Sequence, residues 1–287
     1  VGLAEPSEDE HGDRMRAGAR TLGDGLVLAA LASYAIPFFW QLLTSFKPEA
    51  ELLRVPPLLP SQLTLAHYRA VVEESLMPQA LANSLGIAAL TTLLALAVGV
   101  PGAYAVARLP LPGKRFVLLA IVASTAFPQI ATVSPLYLLM RALDLRDTWS
   151  GLVLVHTSFA LPLTVWLLSG FIREIPIEAE EAASVDGAGL FGLFRWVVIP
   201  LLGPGLAATA LLTFLFSWNE FLFAYTFTVS EASRTIPVAL ALFPGVFEVP
   251  WGDIAAASML ASLPPVLIVV GLQRFLVRGL VAGAVKE

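Results

Sequence analysis

The 287-residue sequence contains no cysteine, and only 14% of its residues are charged. The first absence excludes disulfides and thiolate metal sites. Soluble domains carry about a quarter charged residues, whereas 57% of this chain is hydrophobic and its mean hydropathy is +0.79. The composition therefore indicates an integral membrane protein. Because the net charge is −5, the chain offers no basic surface for nucleic acid, and we expect no such partner.

Motifs of nucleotide and hydrolytic chemistry are also missing. The sequence has no GxxxxGK[ST], HExxH or GxSxG pattern, and LPGKR at 111–115 lacks the first glycine and the final hydroxyl of a phosphate-binding loop. His156 lies within an apolar run, where a packed or hydrogen-bonded histidine is more common than a proton relay. We therefore predict a protein that is not an enzyme and that has no catalytic residue, metal or cofactor of its own.

Six apolar runs are long enough to cross a bilayer, for which about 20 residues are needed. They cover 25–46, 81–107, 116–140, 148–172, 206–227 and 254–272. The prediction is an all-α integral membrane protein, with a six-helix domain over 24–272 and tails at 1–23 and 273–287. The acidic first tail suggests a solvated, poorly ordered leader. Lysine and arginine are more frequent in the segments that share a side with the termini, which favours a cytoplasmic location for both ends.

The segment 173–200 separates the fourth and fifth runs and contains seven charged residues. Placing seven charges near the bilayer centre would cost about 17–25 kcal/mol, at roughly 2.5–3.5 kcal/mol each. The segment must therefore lie outside the membrane. Pro176 suits a helix start, and Gly187 can end a helix in a left-handed conformation, so we predict a short helix over about 176–186. Physical chemistry alone leaves open whether this helix binds a partner or is a solvated loop.

The same segment resembles a known motif. Glu181-Ala182-Ala183, three residues, Gly187, nine residues and then VVIP at 197–200 is similar to the EAA loop of ABC importer permeases, with valine for isoleucine and isoleucine for leucine. SFKP at 45–48, AYAVARL at 103–109, SWNEF at 217–221 and the ending GLVAGAVKE are similar to the second, MalG-like permease subunit of carbohydrate importers. The resemblance implies a type I (MetI-like) fold with a cytoplasmic coupling helix.

Membership of that family implies several partners. These are a MalF-like second permease, two ABC ATPase subunits that bind ATP and Mg²⁺, an extracytoplasmic sugar-binding protein, and the lipids of a bacterial or archaeal inner membrane. The EAA helix would fit a cleft of the ATPase, with Glu181 as its charged contact. The residues implied in this coupling are Glu180, Glu181, Ala182, Ala183, Asp186, Gly187 and Pro200.

Polar residues inside the apolar runs are weaker candidates for a sugar pathway: Asn83, Gln129, Trp218, Asn219 and Glu220. Intramembrane carboxylates usually face a cavity or a partner, but packing or hydrogen bonding across the permease interface, near the outer surface, is the favoured alternative for the last three. The sequence does not identify the sugar. An ion-coupled secondary carrier is the alternative function, although such carriers commonly have inverted repeats, and Glu220 is the lone inner carboxylate among the runs.

Overall fold

A computed structural model describes the backbone of residues 8–52, 58–243 and 249–284, and the side chains of 23–52, 58–243 and 249–273. Within these residues every regular element is helical, which confirms the predicted all-α class. The elements are α1 (Glu8–Thr44), α2 (Glu49–Leu52), α3 (Ala66–Glu73), α4 (Met77–Arg108), α5 (Lys114–Thr125), α6 (Gln129–Ala142), α7 (Trp149–Glu174), α8 (Ile177–Val185), α9 (Leu190–Leu193), α10 (Ile199–Leu201), α11 (Gly203–Asn219), α12 (Leu222–Phe227), α13 (Ile236–Ala241) and α14 (Trp251–Ala284). A π-helical turn, Phe194–Val198, joins α9 to α10.

Among the described residues, four helices are long and apolar enough to cross a membrane: the whole of α4 and α7, and parts of α1 and α14. The number rises to six if each of two bent pairs counts as one span, by length and composition among the described residues. The third apolar run is not one straight helix, because α5 and α6 meet at 92°. Pro128 lacks an N–H and forces the preceding residue out of the helical region, so the helix stops there.

A bend precedes the fifth apolar run, and the run itself is divided. The segment Leu190–Leu201 meets α11 at 79°, and the bend at Leu202 lies just before Pro204. Further on, α11 ends at Asn219 and α12 begins at Leu222. The run predicted over 206–227 therefore contains two helices rather than one.

The core of the larger compact unit (Ala70–Val249 with Leu260–Glu287) lies between α4 and α7, against which α11 also packs. Small residues permit this close packing: a Cβ on Gly99 would lie 2.6 Å from the Thr164 side chain. Large apolar side chains fill the rest, among them Ile87, Leu152, Leu168 and Ile172. The α4–α7 pair therefore forms a rigid base for the elements that follow it.

The smaller unit contains Val1–Arg69 and Pro250–Met259. Its loop between α1 and α3 is held by the backbone N–H of Thr64, which donates to the Phe46 carbonyl at 2.9 Å. His67 lies 2.6 Å from Asp253 and 2.9 Å from the Lys47 carbonyl. The short helix α3 follows this loop.

Both predicted tails contain helical backbone. Helix α1 begins at Glu8, so helical backbone runs through most of the leader predicted over 1–23, whose first seven residues lie outside the described part. Helix α14 continues to Ala284, beyond the candidate span that ends at Gln273, so most of the predicted tail at 273–287 has helical backbone.

Candidate functional site

Helix α8 follows α7 directly and matches the helix predicted from the acidic segment. Pro176 is its N-cap residue, and Glu178 and Glu180 lie in its first turn, where carboxylates are favoured by the helix dipole. Gly187 has a φ of +82°, the left-handed conformation expected of it. The N–H of Ala188 donates to the Ala183 carbonyl at 2.9 Å and completes the end of the helix.

Glu180 fastens α8 to the rest of the protein. Its side chain is buried, and its two carboxylate oxygens accept from Arg108 Nε at 2.7 Å and from the Tyr104 hydroxyl at 2.9 Å. A second guanidinium nitrogen of Arg108 donates to the Ile175 carbonyl just after α7. Glu180 was predicted as a coupling residue, and the structure gives it contacts within this chain; its part in coupling stays a prediction.

The other predicted coupling residues of α8 face outward. Glu181, Ala182, Asp186 and Gly187 are exposed, and Ala183 is half-buried. Large apolar side chains extend this surface, with Val185 87%, Phe191 83% and Trp196 72% exposed. We call the surface formed by Glu181, Ala182, Asp186, Val185 and Phe191 the α8 face. Carboxylates beside small and apolar side chains offer charge and close approach to a partner.

Pro200 lies in α10, directly after the π-helical turn, and is exposed. Because proline has no N–H, it cannot donate the usual helical hydrogen bond to the residue four positions before it. The ladder is restored at Leu202, whose N–H donates to the Val198 carbonyl at 2.8 Å. Pro200 therefore contributes to the irregular connection between α9 and α11 and lies apart from the α8 face in sequence.

Asn83 is fully buried and its hydrogen-bonding groups are occupied. Its amide donates to the carbonyls of Glu231 at 2.9 Å and Arg234 at 2.8 Å, and its oxygen accepts from Gln79 at 2.9 Å. The side chain ties the loop after α12 to the start of α4. This geometry favours a structural role over direct contact with a sugar.

Glu220 belongs to a buried polar cluster between α7, α11 and α12. Its carboxylate accepts from the N–H groups of Phe223 at 2.9 Å and Ala224 at 3.0 Å, and it lies 3.1 Å from His156 Nε2. His156 Nδ1 lies 2.8 Å from the Ser217 hydroxyl. Glu220 thus caps α12 through contacts within this chain, and the predicted packing across the permease interface stays a prediction. Both ring nitrogens of His156 have partners, as expected of a hydrogen-bonded histidine.

The neighbours of Glu220 are placed differently from one another. Trp218 is buried and stacks on Phe214 with ring centroids 5.6 Å apart. Asn219 is exposed and donates to the Leu215 carbonyl at 2.7 Å. The structure does not bring the five pathway candidates together: Trp218 is packed away, and Asn219 lies at the end of α11.

Gln129 lines a cavity of about 480 Å³ at the α5–α6 bend. The opposite walls come from the middle of α7, around Ser158 and Pro162, and from α11, around Thr213. Aromatic rings and hydroxyl groups occur together there, including Phe127, Phe159, Phe216, Ser124 and Thr125. Among the pathway candidates, Gln129 is the residue that the structure places at a cavity.

Sequence reasoning missed the partners of Glu180. Arg108 is the basic residue in the last turn of α4, and Tyr104 precedes it by one turn. The available signal was a charged residue at the end of a span, opposite an acidic segment, but it did not indicate which acid would pair with Arg108. The structure identifies Glu180, rather than Glu181, as the partner of Arg108.

Asp147 was also missed and holds the opposite end of α7. Its carboxylate accepts from the Ser233 hydroxyl at 2.6 Å and from the N–H groups of Val229 at 2.8 Å and Ser230 at 3.0 Å. Partial burial alone would raise the pKa of Asp147, but these hydrogen bonds outweigh it and lower the pKa to about 2.

A helical chain with several apolar spans, a mid-span cavity and an anchored charged helix outside the spans has the features of a multi-pass membrane transport subunit. Residues 96–280 match the family model "Binding-protein-dependent transport system inner membrane component". The chain belongs to this family of ABC importer permeases.

Relatives and a solved structure agree with this assignment. The chain is 44% identical to the trehalose transport system permease protein SugB of Mycobacterium tuberculosis over 273 residues, which is 94% of this chain and 99% of the relative. It is 35% identical to the trehalose/maltose transport system permease protein MalG of Thermococcus litoralis, over 91% of this chain and 95% of the relative. A chain from the crystal structure of a bacterial alginate importer has the same fold, with a TM-score of 0.79 at 22% identity over 96% of this chain and all of the other.

Proposed function

We propose that this permease carries a di- or oligosaccharide, such as trehalose or maltose, through a pore that it forms with a second, MalF-like permease. The similarity to trehalose and maltose permeases along more than nine-tenths of the chain supports this substrate class. The cavity beside Gln129 supports it too, because its aromatic rings and hydroxyl groups suit the apolar faces and the hydroxyls of a sugar. A binding protein outside the membrane delivers the sugar.

ATP and Mg²⁺ are bound by two separate ATPase subunits, one of which docks on the α8 face. The observation that carries this proposal is the exposure of Glu181 and Ala182 on a helix whose own fastening residue, Glu180, is buried. Exposed Glu181 and Asp186 can pair with arginines of the ATPase. The apolar side chains of Val185 and Phe191 provide area that an interface would remove from water.

The α8 face lies in the cytoplasm, together with both chain termini. Helix α7 has 26 residues and is therefore about 39 Å long, enough to cross a bilayer. Asp147 precedes this helix and holds the loop after α12 near its N-terminal end, whereas α8 follows its C-terminal end, so that loop and α8 lie on opposite sides of the membrane. The excess of lysine and arginine on the α8 side favours the cytoplasm for that side.

A charge reversal at the α8 face tests the coupling role. In proteoliposomes containing the complete importer, Glu181→Arg should reduce sugar uptake at least tenfold while ATP hydrolysis continues without dependence on the binding protein. Glu231→Arg is the matched control, since Glu231 is also exposed but lies at the other end of α7. Normal uptake by a well-expressed Glu181→Arg importer would contradict the assignment.

A second measurement separates the importer from an ion-coupled carrier. Uptake should stop when ATP is depleted and should continue when ion gradients are collapsed. Uptake that follows an ion gradient in the absence of ATP would instead support the carrier. ATPase stimulation by binding protein loaded with trehalose, with maltose or with other sugars then identifies the substrate.

A further inference from the structure

We propose that Glu180 and Arg108 form a mechanical link that transmits movement of α8 to α4, so that both are positioning residues for coupling rather than contacts of the ATPase. The inference rests on the proposed docking of an ATPase on the α8 face. It assigns separate tasks to two adjacent glutamates: Glu181 would meet the partner subunit, and Glu180 would pass the force inward.

The fastening of α8 depends on one side chain. Among the nine residues of α8, Glu180 is the buried one, with 5% of its surface exposed. The helix therefore has no buried apolar side chain that could hold it against the bundle. Apart from its chain connections to α7 and α9 and its contacts with the π-helical turn, α8 is attached to the bundle through the carboxylate of Glu180.

That carboxylate joins α8 to α4. Its Oε1 accepts from Arg108 Nε at 2.7 Å, its Oε2 accepts from the Tyr104 hydroxyl at 2.9 Å, and both partners lie in the last two turns of α4. Arg108 also donates to the Ile175 carbonyl, which is the C-cap of α7. One guanidinium group thus connects the end of α4, the end of α7 and the middle of α8.

The planar guanidinium makes this link stiff. Its donors are fixed in one rigid fork, so α8 and the end of α7 cannot move independently of Arg108 without breaking a hydrogen bond. The pair is largely shielded from solvent, with 15% of the Arg108 side chain and 6% of the Glu180 side chain exposed. Shielding from water and salt strengthens the interaction.

Motion of α8 also reaches the core through this route. Above Arg108, α4 packs along α7 through Ala103, Val106 and Leu168. Helix α7 in turn supplies the wall of the cavity at Ser158 and Pro162. A displacement of α8 by a docked subunit would therefore move α4 and α7 together. Without the link, the displacement could be absorbed in the short connection at Ile175–Pro176.

The test uses the complete importer, with its ATPase subunits and binding protein, in proteoliposomes. Glu180→Gln removes the charge and one acceptor while keeping the shape, and Arg108→Lys keeps the charge but loses the fork. Tyr104→Phe removes a single hydrogen bond. Glu178→Gln is the matched control, because Glu178 is an exposed glutamate on the same helix.

The quantity to measure is the amount of sugar transported per ATP hydrolysed. Glu180→Gln and Arg108→Lys should lower this ratio at least fivefold, Tyr104→Phe should lower it less, and Glu178→Gln should leave it unchanged. If the pair only stabilises the fold, uptake and ATP hydrolysis will fall by the same factor and the ratio will stay constant, which overturns the proposal. An unchanged ratio with full activity overturns it as well.

Failure of the underlying docking proposal has a different result. If no ATPase subunit docks on α8, then Glu181→Arg leaves coupling intact whatever the variants of Glu180 do. If docking is correct but the link is not, Glu181→Arg uncouples the importer while Glu180→Gln and Arg108→Lys keep the normal ratio. These three variants together therefore distinguish the two failures.

Discussion

Removal of the Glu220 carboxylate should destabilise the fold rather than weaken sugar binding. In Glu220→Ala, the N–H groups of Phe223 and Ala224 lose their acceptor and His156 loses one of its two partners. Loss of a helix cap costs about 0.5–2 kcal/mol, and leaving a buried polar group unpaired costs about 1–3 kcal/mol. Together these losses should lower the free energy of unfolding by about 3 kcal/mol.

Thermal unfolding of the purified chain in detergent measures this effect. For chains somewhat shorter than this one, each kcal/mol shifts the midpoint by about 2–4 °C, so Glu220→Ala should melt roughly 6–12 °C below the parent. Asn219→Ala is the matched control, because Asn219 is exposed and a surface substitution of this kind changes stability by about 0.5 kcal/mol or less. Glu220→Gln keeps one acceptor oxygen and should lie between the two.

A Glu220→Ala protein with the same melting midpoint as the parent would contradict this prediction. The same conclusion would follow if that variant kept its stability while the importer lost sugar affinity, since the carboxylate would then bind the substrate rather than cap α12.

Three further predictions follow from the geometry. Gly187→Ala should lower the free energy of unfolding by about 1–2 kcal/mol and weaken coupling, because its φ of +82° strains any residue with a Cβ. Gly189→Ala, at a φ of −69°, should be nearly neutral. Sugar uptake and the melting midpoint of both variants check this. Gly151→Ala should abolish stable expression, because the new methyl group would collide with the backbone carbonyl of Leu145. Gly170→Ala places its methyl group in open space and should express normally. The amount of each variant recovered from membranes checks this. Folding lowers the pKa of Asp147 from 3.8 to about 2, so its carboxylate stabilises the folded state above about pH 4. This contribution is lost as the pH falls from about 4 to about 2. Between pH 5 and 3 the melting midpoint of the parent should therefore fall more than that of Asp147→Asn.

The sequence predicted local features better than tertiary ones. The charge-rich segment could not be buried in lipid, and Pro176 and Gly187 marked its limits, so α8 was predicted to within one residue at each end. The size of the bend between α5 and α6, 92°, could not be predicted because an apolar run has the same composition whether it is straight or broken. Pro128 was the local signal, but several other prolines lie inside continuous helices, for example Pro101 in α4.

Pairing of side chains was the least predictable part of the site. Glu180 and Glu181 are adjacent in the sequence and chemically identical, yet the rotation of α8 buries one and exposes the other. The partner of Glu180 is 72 residues away, at the end of α4. Only the packing of α4 beside α7 brings Arg108 to it.

Site-specific cross-linking at Ala182 tests the central claim most directly. Because the chain has no cysteine, Ala182→Cys introduces a single thiol on the α8 face, and Val229→Cys places a comparable thiol at the opposite end of α7. In the assembled importer, Ala182→Cys should cross-link to an ATPase subunit and be protected from a water-soluble maleimide, whereas Val229→Cys should not cross-link to that subunit. Equal labelling of Ala182→Cys in the isolated chain and in the full assembly, without a cross-link to the ATPase, would contradict the account.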